Sequence, residues 1–168
     1  MKKLSLAIGV SLLLASQFGF AAKVAVLNLQ AAIFSTASAQ KSFNELQSRS
    51  DYAQWVAQEE ALLADLRKLN EDAEKNRMTW SAEQTAEHRK KMGVLQTDRE
   101  FNMKKIQAEN NAVRMAVQQD LLPKAEVAVK QVVESEGIEV VLDQQAVVWA
   151  MPTVDITKKV AEAMDKQK

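Results

Sequence analysis

The 168-residue chain has no cysteine, one histidine, two prolines and four glycines, and its formal charges cancel. Each scarcity excludes something. Without cysteine there is no disulfide framework and no lipoprotein acylation site. With His88 as the single histidine, a His/Cys metal centre is excluded. His88 sits in "AEHRKK", where a solvated helix position is expected. Four scattered glycines form no GxxxxGK[ST] phosphate loop, so any activity runs without ATP. So few glycines and prolines favour long regular elements with few turns. Charge offers no footprint for nucleic acid either. There are 22 basic and 22 acidic residues, and losing Lys2 and Lys3 with an export signal leaves 20 against 22. A dedicated nucleic-acid binder would be basic. No nucleophile, metal or cofactor constellation is present. Acidic neighbours such as Glu59–Glu60 and Glu71–Asp72 read as solvated helix faces. The expectation is a protein that is not an enzyme.

The first residues, "MKKLSLAIGVSLLLASQFGFAAKV", read as a secretory signal. Lys2 and Lys3 precede an apolar run from Leu4 to Ala15, and small residues follow at Gly19, Ala21 and Ala22. The run is too short to span a membrane, which needs about 20 apolar residues. Cleavage after Ala21 is expected, giving residues 1–21 as signal and an exported mature protein.

Three regions follow. "AKVAVLNLQ", Ala22 to Gln30, predicts a strand, with Val24 and Val26 on one face and Ala25, Leu27 and Leu29 on the other. From Ser42 to Ser135 the chain reads as helix. Tyr52, Trp55, Glu59, Leu62, Leu66, Leu69 and Ala73 alternate spacings of three and four, as do Met103, Ile106, Asn110, Val113 and Val117. These are thin coiled-coil seams, each with a polar interruption. Ser81 with Gln84 is a capping-box signature, and Thr79–Trp80 forms the turn before it. The prediction is an antiparallel hairpin of helices 42–75 and 81–135, with its tip near 76–82. The helices would be about 50 Å and 80 Å long. Pro123 is expected to kink the returning helix where the rod meets the body, or to divide two helices.

The last region, "EGIEVVLDQQAVVWAMP", has the composition of a β-hairpin. Gly137 is placed to end the helix. Strands are predicted over Ile138–Asp143 and Ala146–Met151, with Asp155 capping a final helix from Ile156 to about Lys166. Each chain thus offers three strands, apolar on both faces and with open edges. A symmetric homo-oligomer follows, in which copies close each other's edges and rods project together. Its core is assigned to Val24, Val26, Leu27, Ile138, Val140, Leu142, Val147 and Trp149. Domains are read as a β-rich oligomerisation body, 22–41 with 122–168, and a helical rod, 42–121. Between Arg67 and Lys105 ten basic residues face seven acidic ones, so the tip half is mildly basic. Met78, Trp80, Met92 and Met103 are candidate contacts for varied apolar partners; alternatively Met78 and Trp80 close the tip.

The signal, the "KVAVLNLQ" strand, the long charged hairpin, "GIEVVLDQQAVVWA" and "VDITKKVAEAM" together resemble the Skp (OmpH-type) periplasmic chaperones, in order and over the whole mature chain. The C-terminal third carries the specific part. The resemblance implies an α+β fold: a coiled-coil tentacle inserted into a small β body that assembles as a homotrimeric barrel. It implies an ATP-independent periplasmic holdase, without cofactor, that shields unfolded outer-membrane β-barrel proteins in a cavity between tentacles. The best-known relatives are markedly basic and bind anionic lipid; this chain departs from them in charge, and no residue is assigned to lipid. The competing reading is a structural coiled-coil spacer or adaptor of the cell envelope.

Overall fold

A computed structural model describes residues 22–167; the expected export signal lies outside them. The element order is β1 (Val24–Leu27), α1 (Leu29–Ser35), α2 (Ala37–Ser48), α3 (Ser50–Asn76), α4 (Ala82–Glu136), β2 (Val140–Asp143) and α5 (Thr157–Lys166). The architecture is mostly helical, with long helices and one two-stranded sheet.

The first strand is shorter than its apolar composition predicts. Asn28 accepts a hydrogen bond from the Ala31 N–H at 2.8 Å and so caps α1, which begins at Leu29. A local cap outweighs the apolar run. Helix therefore starts well before Ser42. It proceeds in three segments, because the chain is extended at Thr36 and again at Arg49. Thr36 is buried and caps α2 through Ala39 N–H, while its hydroxyl donates to Ile33 O at 2.8 Å. Asp165 of α5 accepts from Ala37 N–H at 3.0 Å, so α2 receives a second cap from the far end of the chain.

The rod forms as its seams predict. Tyr52, Trp55, Glu59, Leu66, Leu69 and Ala73 are half-buried and Leu62 is buried; on α4, Met103, Ile106, Asn110 and Val113 are half-buried and Val117 is buried. Ser81 and Gln84 make the reciprocal capping box. α3 has 27 residues and α4 has 55, about 40 Å and 80 Å of helix. Pro123 neither ends nor divides α4, which runs unbroken from Ala82 to Glu136. Pro123 has no N–H to donate to the Gln119 carbonyl, and both residues are exposed.

Beyond residue 113, α4 changes from rod to core. Val117, Leu121, Ala125, Ala128 and Val132 line one face and pack with Ile33 of α1, Ile138, and Val160 and Met164 of α5. Gly137, at φ 64°, ends α4 in the left-handed conformation. Lys23 Nζ donates to the Glu136 carbonyl at 2.6 Å, placing a cation at the helix C-terminus.

The sheet corrects the expected hairpin. β2 pairs with β1, in parallel, with Val24 opposite Val140 and Val26 opposite Leu142. Ala146–Met151 is not a strand. Asp143 accepts from Gln145 N–H at 2.8 Å, and Gln144–Ala146 form a 3-10 turn. That turn carries the chain past β1 instead of back along β2. Val147 and Trp149, assigned to a second strand, lie in an irregular stretch with a bend at Val148 and without ladder partners. The chain rejoins the sheet at a single bridge, where Ile156 N–H donates to Val26 O at 2.9 Å. The last helix begins at Thr157 with Ile156, not Asp155, at its N-cap position; Asp155 sits one residue further out, and its Oδ1 accepts from the Thr157 N–H at 2.8 Å.

Candidate functional site

Two surfaces stand out, one on the body and one on the rod. Period-two alternation puts Ala25, Leu27 and Val141 toward the core and Val24, Val26, Val140 and Leu142 on the opposite face. Among the described residues that face is only partly covered: the segment around Pro152–Asp155 reaches Val26, which is buried, but Val24, Val140 and Leu142 are exposed. Val26 also lines a cavity of about 330 Å³ with Val147, Trp149 and Met151. Trp149 is 76% exposed, and Val148 and Met151 are exposed as well. Six large apolar side chains therefore face solvent around one small sheet. Isolated exposed apolar residues need no explanation, but a contiguous patch does. Of the residues assigned to an oligomer core, Val26, Leu27 and Ile138 are buried within the single chain. Val24, Val140, Leu142 and Trp149 are not, and Val147 is half-buried.

Beside its apolar seam the rod carries polar contacts between α3 and α4. Arg99 pairs with Glu59 at 2.6 Å, Asn102 Nδ2 donates to the Trp55 carbonyl at 2.7 Å, and Asn110 Nδ2 donates to the Tyr52 hydroxyl at 2.9 Å. At the base, Arg49 reaches both Asp51 and Glu109, each at 2.7 Å. Those hydrogen bonds raise the Arg49 pKa further and hold the Asp51 carboxyl below its ordinary value. Near the tip, His88 Nε2 lies 2.9 Å from Leu69 O, and Trp80 packs on the imidazole at a ring separation of 4.8 Å. His88 is thus half-buried in the rod and not the solvated residue its charged neighbours predict.

The four candidate contact residues are not brought together. Met78 is 89% exposed at the tip, while Trp80, Met92 and Met103 are half-buried. The exposed apolar side chains of α4 are others, chiefly Val94, Phe101 and Met115. Val94, Phe101 and Met115 stand at spacings of seven and fourteen, outside the seam positions Met103, Ile106, Asn110, Val113 and Val117. Among the described residues no group of three or more His, Cys, Asp or Glu is placed to hold a metal ion. No described helix is long and apolar enough to cross a membrane.

From residue 23 to residue 164 the chain matches the family described as outer membrane protein (OmpH-like). It belongs to that family. OmpH/Skp-like proteins are outer membrane chaperones of the periplasm and not enzymes. Among solved structures, the chain is similar to an OmpH-like protein of Caulobacter crescentus CB15. The two share 18% identity and a TM-score of 0.49 over 86% of this chain and 84% of that one. No curated protein matches the chain.

Proposed function

We propose that this chain is an ATP-independent periplasmic holdase that assembles as a homotrimer and binds unfolded outer-membrane β-barrel proteins between its rods. The observation that carries the reading is the partly uncovered apolar face of the body. Val147–Met151 is apolar and irregular, with a bend at Val148, and among the described residues it is unpaired and the outer edge of β2 has no neighbour. A second copy supplies what each lacks, and closure around a symmetry axis removes the open edges. Residues 22–41 and 122–168 then form the oligomerisation body, and residues 42–121 form rods that project together and enclose a space. Family membership supports the chaperone class, and cleavage after Ala21 would release the mature chain into the periplasm.

The test is to dilute a urea-unfolded outer-membrane protein into buffer with the mature protein and no ATP, following light scattering. Suppressed aggregation at an excess of this protein is expected. Undiminished scattering overturns the holdase reading and favours the envelope spacer. A solution mass equal to one chain at micromolar concentration overturns the assembly.

A further inference from the structure

The base of the rod has a bare flank on each side. Leu46 of α2 and Val113 and Val117 of α4 line one cavity of about 280 Å³, so the two helices face each other there. Met115 stands two residues from each valine, about 200° round the helix, and is therefore on the far side of α4. Ala108, Asn111, Ala112, Gln118, Gln119 and Leu122 share that side, and all are exposed. The strip is about 21 Å long and carries no charge. Only Glu109, Arg114 and Asp120 are charged between Ile106 and Leu122, and each is engaged elsewhere. Glu109 pairs with Arg49, Arg114 stacks on the Phe34 ring at 5.0 Å, and Asp120 borders the cavity beside Leu46. A helix face turned to water normally carries charges, and this side of α4 regains them at Lys104 and Glu126.

The other flank is the back of α2. Ala37, Asn44 and Ser48 lie on the side of α2 away from Leu46 and are exposed. With Gln40, Lys41, Glu45 and Arg49 they line a groove of about 590 Å³. Its charges are already paired: Lys41 lies 3.8 Å from Glu45, and Arg49 holds Asp51 and Glu109, each at 2.7 Å. α2 has 12 residues, about 18 Å of helix, close to the length of the α4 strip. The two surfaces therefore agree in length, in neutrality and in chemistry. Amide side chains both donate and accept, so Asn and Gln on one flank satisfy those on the other. Alanines let two helix axes approach closely. Within one chain the two flanks look away from each other and cannot meet.

Resting on the homotrimer reading, we infer that the far side of α4, from Ala108 to Leu122, docks on the α2 groove of the next copy, with Met115 seated in that groove. A cyclic ring uses such a head-to-tail contact, in which two different surfaces of each copy are each occupied once. The contact ends where Lys104 restores charge to this side of α4, and beyond that point solvent separates the rods. The ring is then held at two levels, at the sheet face of the body and at the rod bases. Gaps between neighbouring rods are closed at the base and open toward the tip.

The chain has no cysteine, so the double variant Asn44→Cys, Met115→Cys carries only two thiols, one on each flank. The mature, assembled variant is treated with a short bismaleimide and separated on a denaturing gel. Bands of two and three linked chains are expected, and each single variant should stay at one chain. Met115→Glu, with helix content unchanged, should raise the concentration for half-assembly about tenfold. A double variant of trimeric mass that does not link overturns the inference and leaves the trimer reading standing. Linking of Met115→Cys alone also overturns it, because the strip then faces its own copy. Bands beyond three chains overturn it too, since separate assemblies are then in contact. So does an assembly midpoint that Met115→Glu leaves unmoved. A wild-type solution mass of one chain overturns the trimer reading and the inference together.

Discussion

Asn102 on α4 donates its side-chain N–H to the backbone carbonyl of Trp55 on α3 at 2.7 Å, in the middle of the rod. It is 1% exposed, and its Oδ1 is buried without a hydrogen-bond partner. The contact ties a side chain of one helix to the main chain of the other, so it sets their relative register. The unpartnered oxygen is the cost, about 1–3 kcal/mol for a buried neutral acceptor. Asn102→Leu removes both the bond and the orphan acceptor and adds apolar area to the seam. Chemical denaturation is expected to show Asn102→Leu as stable as wild type or more so. Asn102→Ala, which leaves a void and no bond, should lose about 1–2 kcal/mol. A leucine variant less stable than the alanine variant would contradict this account.

The tip depends on His88 and Trp80. The imidazole reaches back to Leu69 on α3 while Trp80 covers its ring, so three successive elements meet at one side chain. Trp80→Ala should loosen the tip without melting the body, since the body core lies at the other end of α4. Hydrogen exchange is expected to speed up over residues 70–90 only, with the main thermal transition shifted by no more than a few degrees. Unchanged exchange in that segment would show that Trp80 does not hold the tip. Client affinity measured on the same variant separates tip closure from contact.

Trp149 belongs to the unpaired Val147–Met151 segment, and its exposure in the single chain is the sharpest argument for assembly. Trp149→Glu introduces a charge into an interface that complementary copies would bury. Sedimentation should show a shift toward lower mass, with helicity retained. A variant with the wild-type mass would show that Trp149 lies outside the interface.

Acid should weaken the fold in a defined direction. The Lys159 hydrogen bond lowers the Glu136 pKa, and Arg49, Lys91 and Lys104 do the same for Asp51, Glu87 and Glu100. A carboxylate with a lower pKa folded than unfolded contributes stability above its ordinary value and loses it as pH falls through the folded value. Melting temperature is therefore expected to be level from about pH 6 to 8. It should decline as pH drops below the ordinary values of 4.5 for Glu and 3.8 for Asp. Glu136→Gln should show a smaller acid decline than wild type. An identical decline would mean that Glu136 and its lysines do not contribute.

Much of the rod was legible in one dimension. Helix periodicity, the Ser81–Gln84 box and the Gly137 terminus are local features whose partners lie within a few residues, so composition and spacing suffice to read them. The seam from Tyr52 to Ala73 was readable for the same reason. Asn102 and His88 were not, because a polar residue enters a seam only if the facing helix offers it a partner, here the Trp55 and Leu69 carbonyls. Of the two readings of Pro123, a division between helices does not occur, because α4 runs unbroken from Ala82 to Glu136.

The β-rich end shows where local reading stops. Val147–Met151 has strand composition, but a strand requires a neighbour, and the neighbour is chosen by chain geometry. The turn at Gln144–Ala146 carries the segment away from β2, while the long α3–α4 hairpin returns β2 to β1 in parallel. Side-chain chemistry thus set which stretches are apolar, where helices begin and end, and which functions lack the necessary residues. Tertiary packing decided which apolar stretches were satisfied within the chain and which were left facing outward, because burial is a relation between segments far apart in sequence.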